Sequence, residues 1–133
     1  MEAGDEASLR RALELDPGRA DAAVPLARAL LARGERDAAR AALDGIAGNF
    51  AADGLRARMR LEDALEPDVS EAFAALDTGD TQRGLELLEQ AIRESQDGAR
   101  DDLRQVMVGV FDELGPEDQL SREFRRRLAS ALY

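Results

Sequence analysis

LRQVMVGVFDELGPEDQLSREFRRRLASAL, residues 103–132, is the stretch that decides the fold. In its first half apolar residues recur three and four positions apart, which places one face of an α-helix at Leu103, Val106, Met107, Val110, Phe111 and Leu114. Gly115-Pro116 then ends that helix, because glycine tolerates the left-handed conformation past a helix end and proline suits the first turn of the next. The four-residue spacing that follows predicts a second helix, buried against the first through Leu120, Phe124, Leu128 and Leu132.

The rest of the chain shows the same helical period, and β-branched residues are too sparse for strands. Glycine and proline divide it into six further predicted helices, over residues 5–15, 20–33, 36–47, 51–65, 68–77 and 81–95. Asp80 is the predicted N-cap of the last of these, and Pro25 fits the second only near its first turn. The sequence therefore predicts an all-α fold of about seven or eight helices.

Composition excludes most kinds of catalytic and metal site. The 133 residues include no cysteine, no histidine and no lysine. A thiolate nucleophile, a histidine acid–base pair, a Cys/His zinc site and a P-loop lysine are therefore excluded. Adjacent acids such as Glu62-Asp63 and Asp101-Asp102 point in different directions on a helix and fit a solvated surface. We predict no catalytic residue, no cofactor and no metal ligand, and a single domain over residues 1–133 that works by binding.

The acidic charge is concentrated in the middle of the chain. The net charge is −10, and residues 62–102, with 13 acids against three arginines, carry all of that excess. Nucleic acid needs a basic surface, so nucleic-acid binding is disfavoured. No stretch approaches the length of an apolar membrane helix, and the N-terminus has no signal-peptide pattern. We therefore expect a cytoplasmic protein that does not bind membranes.

Paired helices joined by glycine-containing turns suggest an internal repeat. With Gly34 as the turn of a helix–turn–helix unit of about 34 residues, packing residues fall where helices would meet, at Ala27, Ala39 and Leu43. Gly79 and Gly115 begin two further matches, at spacings of 45 and 36 residues, and the longer spacing leaves residues 51–65 as an extra helix. The pattern resembles the tetratricopeptide repeat and implies a helical-hairpin array, or α-solenoid.

Three stretches resemble the bacterial thioredoxin–tetratricopeptide-repeat fusion proteins of the chaperedoxin group. They are VFDELGPEDQLSREFRRRLASALY at residues 110–133, DTGDTQRGLELLEQAI at 77–92 and LARALLARGERDAARAAL at 26–43. The resemblance implies a fragment whose thioredoxin-like domain lies upstream. It also implies a stress-response chaperone of the holdase type, which binds unfolding clients under oxidative stress and passes them to a chaperonin or to the Hsp70 system.

The same resemblance assigns chaperonin contact to the C-terminal helix, residues 117–133. The partner-binding candidates on it are Arg122, Arg125, Arg126, Leu132 and Tyr133. An arginine face beside an otherwise acidic or neutral chain fits an acidic partner surface, and a terminal aromatic with a polar tip suits an interface. The other interpretation is a capping helix whose arginines only solvate the end of the array.

A peptide-binding groove is the usual use of such repeats, lined by the first helix of each unit. The groove candidates are Arg28, Val69 and Phe73, with Asp21, Val24, Leu31, Glu66, Leu76, Asp102, Gln105, Gly109 and Asp112 at equivalent positions. Arg28 is the only basic residue among them, so gripping an acidic C-terminal tail is disfavoured. Residues such as Val69, Phe73 and Leu76 at this spacing are more often core than client site.

Two functions from different classes fit these observations. The first is a protein-binding repeat domain of a thioredoxin-like co-chaperone, with unfolding clients and a chaperonin or the Hsp70 system as partners. The alternative is a structural scaffold that mediates homo-oligomerisation or positions the missing domain. Light scattering in the presence of an aggregating client distinguishes the two.

Overall fold

The computed structural model describes residues 6–64 and 66–133, and every regular element in them is an α-helix. The eight helices of the described residues are α1 (Glu6–Leu15), α2 (Ala20–Ala32), α3 (Arg36–Leu43), α4 (Phe50–Asp63), α5 (Ser70–Asp77), α6 (Thr81–Glu94), α7 (Asp97–Leu114) and α8 (Gln119–Leu132). The predicted all-α class and helix number are confirmed. The predicted helix ends at residues 5 and 65 lie outside the described residues.

The predicted helix ends rest on identifiable backbone features. Gly115 has φ of 90°, in the left-handed region that glycine adopts without strain, and its N–H donates to the Phe111 carbonyl. Asp80 is the N-cap of α6, as predicted, with its carboxylate accepting from the Arg83 backbone N–H at 3.3 Å. Pro25 lies in the second turn of α2 rather than near its first, so the Asp21 carbonyl lacks the N–H that a helix normally supplies.

Two sets of buried apolar residues form the core. The N-terminal cluster joins α1, α2 and α3 to the first part of α4, and its larger members are Leu9, Val24, Leu26, Leu30, Leu31, Leu43, Ile46, Leu55 and Met59. The C-terminal cluster joins the second part of α4 to α5, α6, α7 and α8, through Leu61, Val69, Phe73, Leu85, Leu88, Ile92, Leu103, Val106, Met107, Phe111, Phe124 and Leu128. α4 contributes to both clusters, so it is the central helix of the fold.

The helix predicted as an extra one over residues 51–65 takes this central position as α4. α2 packs on α3 and α5 packs on α6 as sequence-adjacent hairpins, but α4 makes its most extensive helix contact with α7. The two helices cross at Gly54 and Gly109, whose Cα atoms are so close that a Cβ on either would lie 3.2 Å from the other Cα. Backbone approaches backbone at this point, and a Cβ on either glycine would be in an unusually tight contact.

The C-terminal helices pack largely as the helical period predicts. Leu103, Phe111 and Phe124 are almost completely buried, and Val106 and Leu128 are buried beside them. Val110 and Leu114 are only half-buried, which is a correction to their expected burial. α8 is held to the rest by contacts with both α6 and α7.

Candidate functional site

A groove of about 800 Å³ opens on one side of the domain. Side chains of α2 and α7 form its two walls, α4 forms its floor, and the α5–α6 turn lies at one end. Its apolar lining includes half-buried residues whose exposed area a ligand would cover: Ala20, Pro25, Leu76, Val110 and Leu114. Val110 and Leu114 both line the groove, and Val110 also packs against the C-terminal cluster, so each keeps part of its surface exposed.

The close crossing of α4 and α7 shapes the floor. Gly54 and Gly109 both line the groove, and no side chain rises from the floor where they meet. Val24, Leu55 and Val106 surround that point and are already buried by their neighbours. The depth of the groove thus follows from two glycines in the middle of otherwise regular helices.

Arg58 of α4 is a buried cation at the edge of the floor. It donates two hydrogen bonds to the Asp77 carboxylate, at 2.7 and 2.8 Å, and one to Glu62 at 3.1 Å. Its guanidinium also lies 4.7 Å from the centre of the Phe73 ring. Burial alone lowers the pKa of Arg58, but the hydrogen bonds and charges of Asp77 and Glu62 outweigh burial, so its pKa is raised. These carboxylates already neutralise Arg58, which leaves little positive charge for a ligand.

Arg28 of α2 and Glu113 of α7 form an ion pair that crosses the groove from wall to wall. Their side chains are 44% and 25% exposed, so the pair lies at the mouth rather than on the floor. Burial lowers the pKa of Arg28, although the charge of Asp77 opposes that shift. Arginine nevertheless stays protonated in proteins, so the pair stays charged.

Further carboxylates line the same walls. Asp21 lies at the start of α2 and binds Arg19 through two hydrogen bonds, at 3.0 and 2.8 Å. Asp112, next to Glu113, is exposed. With Asp77 at the end of the groove, the lining holds more acidic than basic side chains. The groove thus continues the acidic character of residues 62–102.

The structure separates the three predicted groove residues. Arg28 lines the groove, as do Asp21, Val24, Leu76, Gly109 and Asp112 from the equivalent positions. Val69 and Phe73 instead belong to the C-terminal cluster, with 6% and 2% of their surface exposed. Those two residues are a correction: they fit the helical period of a groove face, but α4 and α6 cover them and they serve as core.

Glu113 and Arg58 are among the groove residues that were missed from the sequence. Glu113 lies one turn after Gly109 on α7, so the register that placed Gly109 in the groove also predicts Glu113 there. Arg58 carried no sequence signal, because its role depends on Asp77 at the end of a different helix.

The predicted partner-binding arginines of α8 have different surroundings. Arg122 pairs with Glu117 at 2.8 Å, whereas Arg125 donates to the Ser121 hydroxyl and lies 5.1 Å from the centre of the Phe111 ring. Arg126 is exposed. The fourth arginine of this helix, Arg127, pairs with the buried Glu89 of α6 at 2.6 Å and is therefore structural.

The two apolar candidates at the end of α8 also differ. Leu132 is half-buried against the C-terminal cluster, whereas Tyr133 is fully exposed. The Arg100 guanidinium of α7 donates to the Ala131 carbonyl at 2.5 Å and so holds the last turn of α8 in place. The exposed Tyr133 therefore follows a helix end that the rest of the domain fixes, and the candidate arginines lie earlier in the same helix.

Within residues 6–64 and 66–133, no group of three or more acidic, histidine or cysteine side chains is arranged to hold a metal ion. In the same residues, none of the helices combines the length and apolarity needed to cross a membrane.

Comparison with protein families covers all the described helices. A family model described as "Tetratricopeptide repeat" matches residues 51–133, and a second with the same description matches residues 6–62. The two matches overlap on α4, the helix that both core clusters share. Neither the curated proteins nor the solved structures that were compared contain a match to the chain.

Proposed function

The chain belongs to the tetratricopeptide-repeat family, whose domains bind proteins, and from that premise we propose that it is the repeat domain of a thioredoxin-like co-chaperone. In this proposal residues 1–133 form one domain that follows a thioredoxin-like domain. It holds unfolding clients in the groove and docks a chaperonin, or the Hsp70 system, through α8.

The observation that carries this proposal is the apolar groove wall. Leu76, Val110 and Leu114 keep part of their surface exposed inside a groove large enough for several side chains of another chain. An unfolding protein presents apolar side chains that its own core no longer covers, and covering them removes apolar surface from water on both partners. A holdase needs this kind of surface and needs no catalytic group.

The test is whether the domain suppresses aggregation of a chemically denatured client, followed by light scattering. We expect suppression by the parent and its loss in Leu114→Gln, which removes apolar surface from the groove wall at the end of α7. Leu15→Gln is the matched control, because Leu15 is 89% exposed on α1, away from the groove. No suppression by the parent at molar excess contradicts the holdase proposal.

Docking through α8 is tested by charge reversal. Changing Arg122, Arg125 and Arg126 together to Glu should leave folding nearly intact, because exposed charges contribute little to stability. Binding to a purified chaperonin should fall at least tenfold, equivalent to about 1.4 kcal/mol, and the parent's affinity should weaken with salt. The pair Arg122→Glu and Arg126→Glu, which keeps the contact of Arg125 with Phe111, controls for loss of packing.

Equal binding of parent and triple variant at low salt contradicts docking through the arginines. Deletion of Leu132-Tyr133 then tests whether the apolar end of α8 makes the contact instead. If that deletion also leaves binding unchanged, α8 is a capping helix.

The scaffold alternative is favoured by two other exposed apolar side chains, Leu15 and Phe50, with 89% and 64% of their surface exposed. A self-associating scaffold predicts a mass in solution that rises with concentration and falls when Phe50 is changed to Ser. The co-chaperone proposal expects a monomer whose mass is unaffected by that change.

A further inference from the structure

We propose that the groove selects segments that combine apolar and cationic side chains, and that Arg28 competes with such a segment for Glu113. This inference rests on the proposed function and specifies which client segments the groove would hold. The ion pair between Arg28 and Glu113 closes the mouth, and a lysine or arginine of the ligand takes the place of Arg28.

The charge of the lining favours a cation. Asp21, Asp77, Asp112 and Glu113 face the groove, against Arg28 and Arg58. Arg58 is already occupied by Asp77 and by Glu62 behind it. When Arg28 is displaced from Glu113, the mouth therefore presents the carboxylates of Glu113 and Asp112 on the α7 wall, whereas Asp21 on the α2 wall is already paired with Arg19. An acidic segment could pair with Arg28 only by displacing Glu113, and it would then still face the carboxylates of Glu113 and Asp112.

The apolar side chains of the ligand would contact an apolar part of the groove close to Glu113. Val110 and Leu114 lie on the same wall as Glu113, within one turn of it, and Leu76 lies at the end of the groove. A segment with an apolar side chain next to a basic one can therefore cover Leu114 and reach Glu113 at the same time. Burial of the apolar side chain supplies affinity, and the ion pair supplies selection.

The pair of Arg28 with Glu113 is suited to displacement. Both side chains reach solvent, and ion pairs of exposed side chains contribute little to stability. α2 and α7 are not otherwise in extensive contact, so breaking the pair does not disturb a helix interface. Arg28 is thus an internal competitor, and removing it should strengthen ligand binding rather than weaken it.

The probes are two fluorescein-labelled decapeptides that alternate leucine with lysine or leucine with glutamate, followed by fluorescence anisotropy at low salt. We expect the parent to prefer the lysine peptide. Arg28→Gln should bind that peptide at least threefold more tightly, and Glu113→Gln at least tenfold more weakly. Circular dichroism confirms that each variant is folded.

Two control variants change net charge by the same amounts without touching the groove. Arg40→Gln and Asp37→Asn alter an exposed ion pair on α3, which does not line the groove. Each should leave the affinity for the lysine peptide within twofold of the parent. If a control variant changes the affinity as much as Arg28→Gln or Glu113→Gln does, the preference for the lysine peptide depends only on the net charge of the domain. That result would overturn the proposal.

A charge swap keeps the ion pair while reversing its direction. Arg28→Glu combined with Glu113→Arg should fold like the parent and lose the preference for the lysine peptide. Weaker binding of the lysine peptide by Arg28→Gln, or an unchanged preference in the swap, overturns the inference.

The inference and the proposed function fail in different ways. If the parent suppresses client aggregation but does not prefer the lysine peptide, the holdase proposal survives and the selection of cationic segments is wrong. If the parent neither suppresses aggregation nor binds either peptide, both are wrong.

Discussion

The two core clusters of this domain are built from different residues. In the N-terminal cluster alanines pack helix against helix, with Ala22, Ala23, Ala27, Ala39 and Ala52 each no more than 2% exposed, and the cluster contains no aromatic residue. In the C-terminal cluster Phe73, Phe111 and Phe124 fill the space between the helices. Helix–turn–helix repeats can thus pack in two ways. Alanines let the helix backbones approach closely, and large aromatic side chains fill the space between helices that lie farther apart.

The polar contacts of the two halves also differ. In the N-terminal half, the Arg56 guanidinium of α4 donates to the carbonyls of Leu43 and Ile46, at 2.6 and 2.5 Å, and so holds the short connection after α3. In the C-terminal half, Arg127 lies 4.2 Å from the centre of the Phe124 ring while it pairs with Glu89. Arginine thus bonds to backbone carbonyls in both halves, as Arg100 does to Ala131 in the C-terminal half, and covers aromatic rings in the C-terminal half.

The largest expected loss of stability comes from a substitution in the C-terminal cluster, which is packed with aromatic side chains. Phe111→Ala should lower the free energy of unfolding by about 3–5 kcal/mol, because Phe111 is 1% exposed and its loss leaves a cavity. Phe50→Ala is the control: Phe50 is 64% exposed, so its change should cost well under about 1 kcal/mol. Urea unfolding measures both, and a loss below about 1 kcal/mol for Phe111→Ala would contradict its place in the core.

The next largest loss of stability is expected from a substitution in the alanine-rich N-terminal cluster. Ala27→Leu should lower the free energy of unfolding by about 2–3 kcal/mol, because Ala27 is 0% exposed and a larger side chain would push α2 away from its neighbours. Ala32→Leu makes the same change at an exposed position of α2 and should be nearly neutral. Similar thermal midpoints for both variants would show that the N-terminal cluster accommodates a larger side chain at position 27. Close packing of helices at alanine would then not be what stabilises that cluster.

The smallest expected loss of stability concerns the contact between α7 and α4, the helix that both core clusters share. Gly109→Ala should cost about 1–2 kcal/mol, because the new Cβ would lie 3.0 Å from the Phe50 carbonyl oxygen and 3.2 Å from the Gly54 Cα. Gly98→Ala on the same helix has nothing within 4 Å of the new Cβ and should be neutral or slightly stabilising. If the two alanine variants unfold at the same denaturant concentration, α4 and α7 do not meet as closely as Gly54 and Gly109 indicate.

Much of the fold could be predicted because helix ends and buried faces are local properties. Gly115-Pro116 and Asp80 fix backbone geometry within a few residues, and the period from Leu103 to Phe111 fixes a buried face. The partner of that face is not local. The same period is compatible with α8 or with α4 as the main neighbour of α7, and the close approach of Gly54 to Gly109 was not predicted.

The candidate site was harder to predict for the same reason. Val69 and Phe73 have the spacing of a groove face, but whether such a face is covered depends on helices elsewhere in the chain. Arg28 was found because helix register places it on the concave side, whereas its pairing with Glu113 joins helices distant in sequence. Sequence patterns thus identified some of the positions that face the groove, but not which charged side chains pair there.

The contact between α4 and α7 also governs how the chain reaches its folded state. In a linear array each interface joins neighbours in sequence, so folding can proceed through short loop closures. Here Gly54 must meet Gly109 with the whole α5–α6 hairpin between them, so the most extensive interface forms only after a long loop has closed. Because the entropy of closing that loop is lost before the interface stabilises the fold, we expect the domain to unfold and refold as one cooperative unit rather than repeat by repeat.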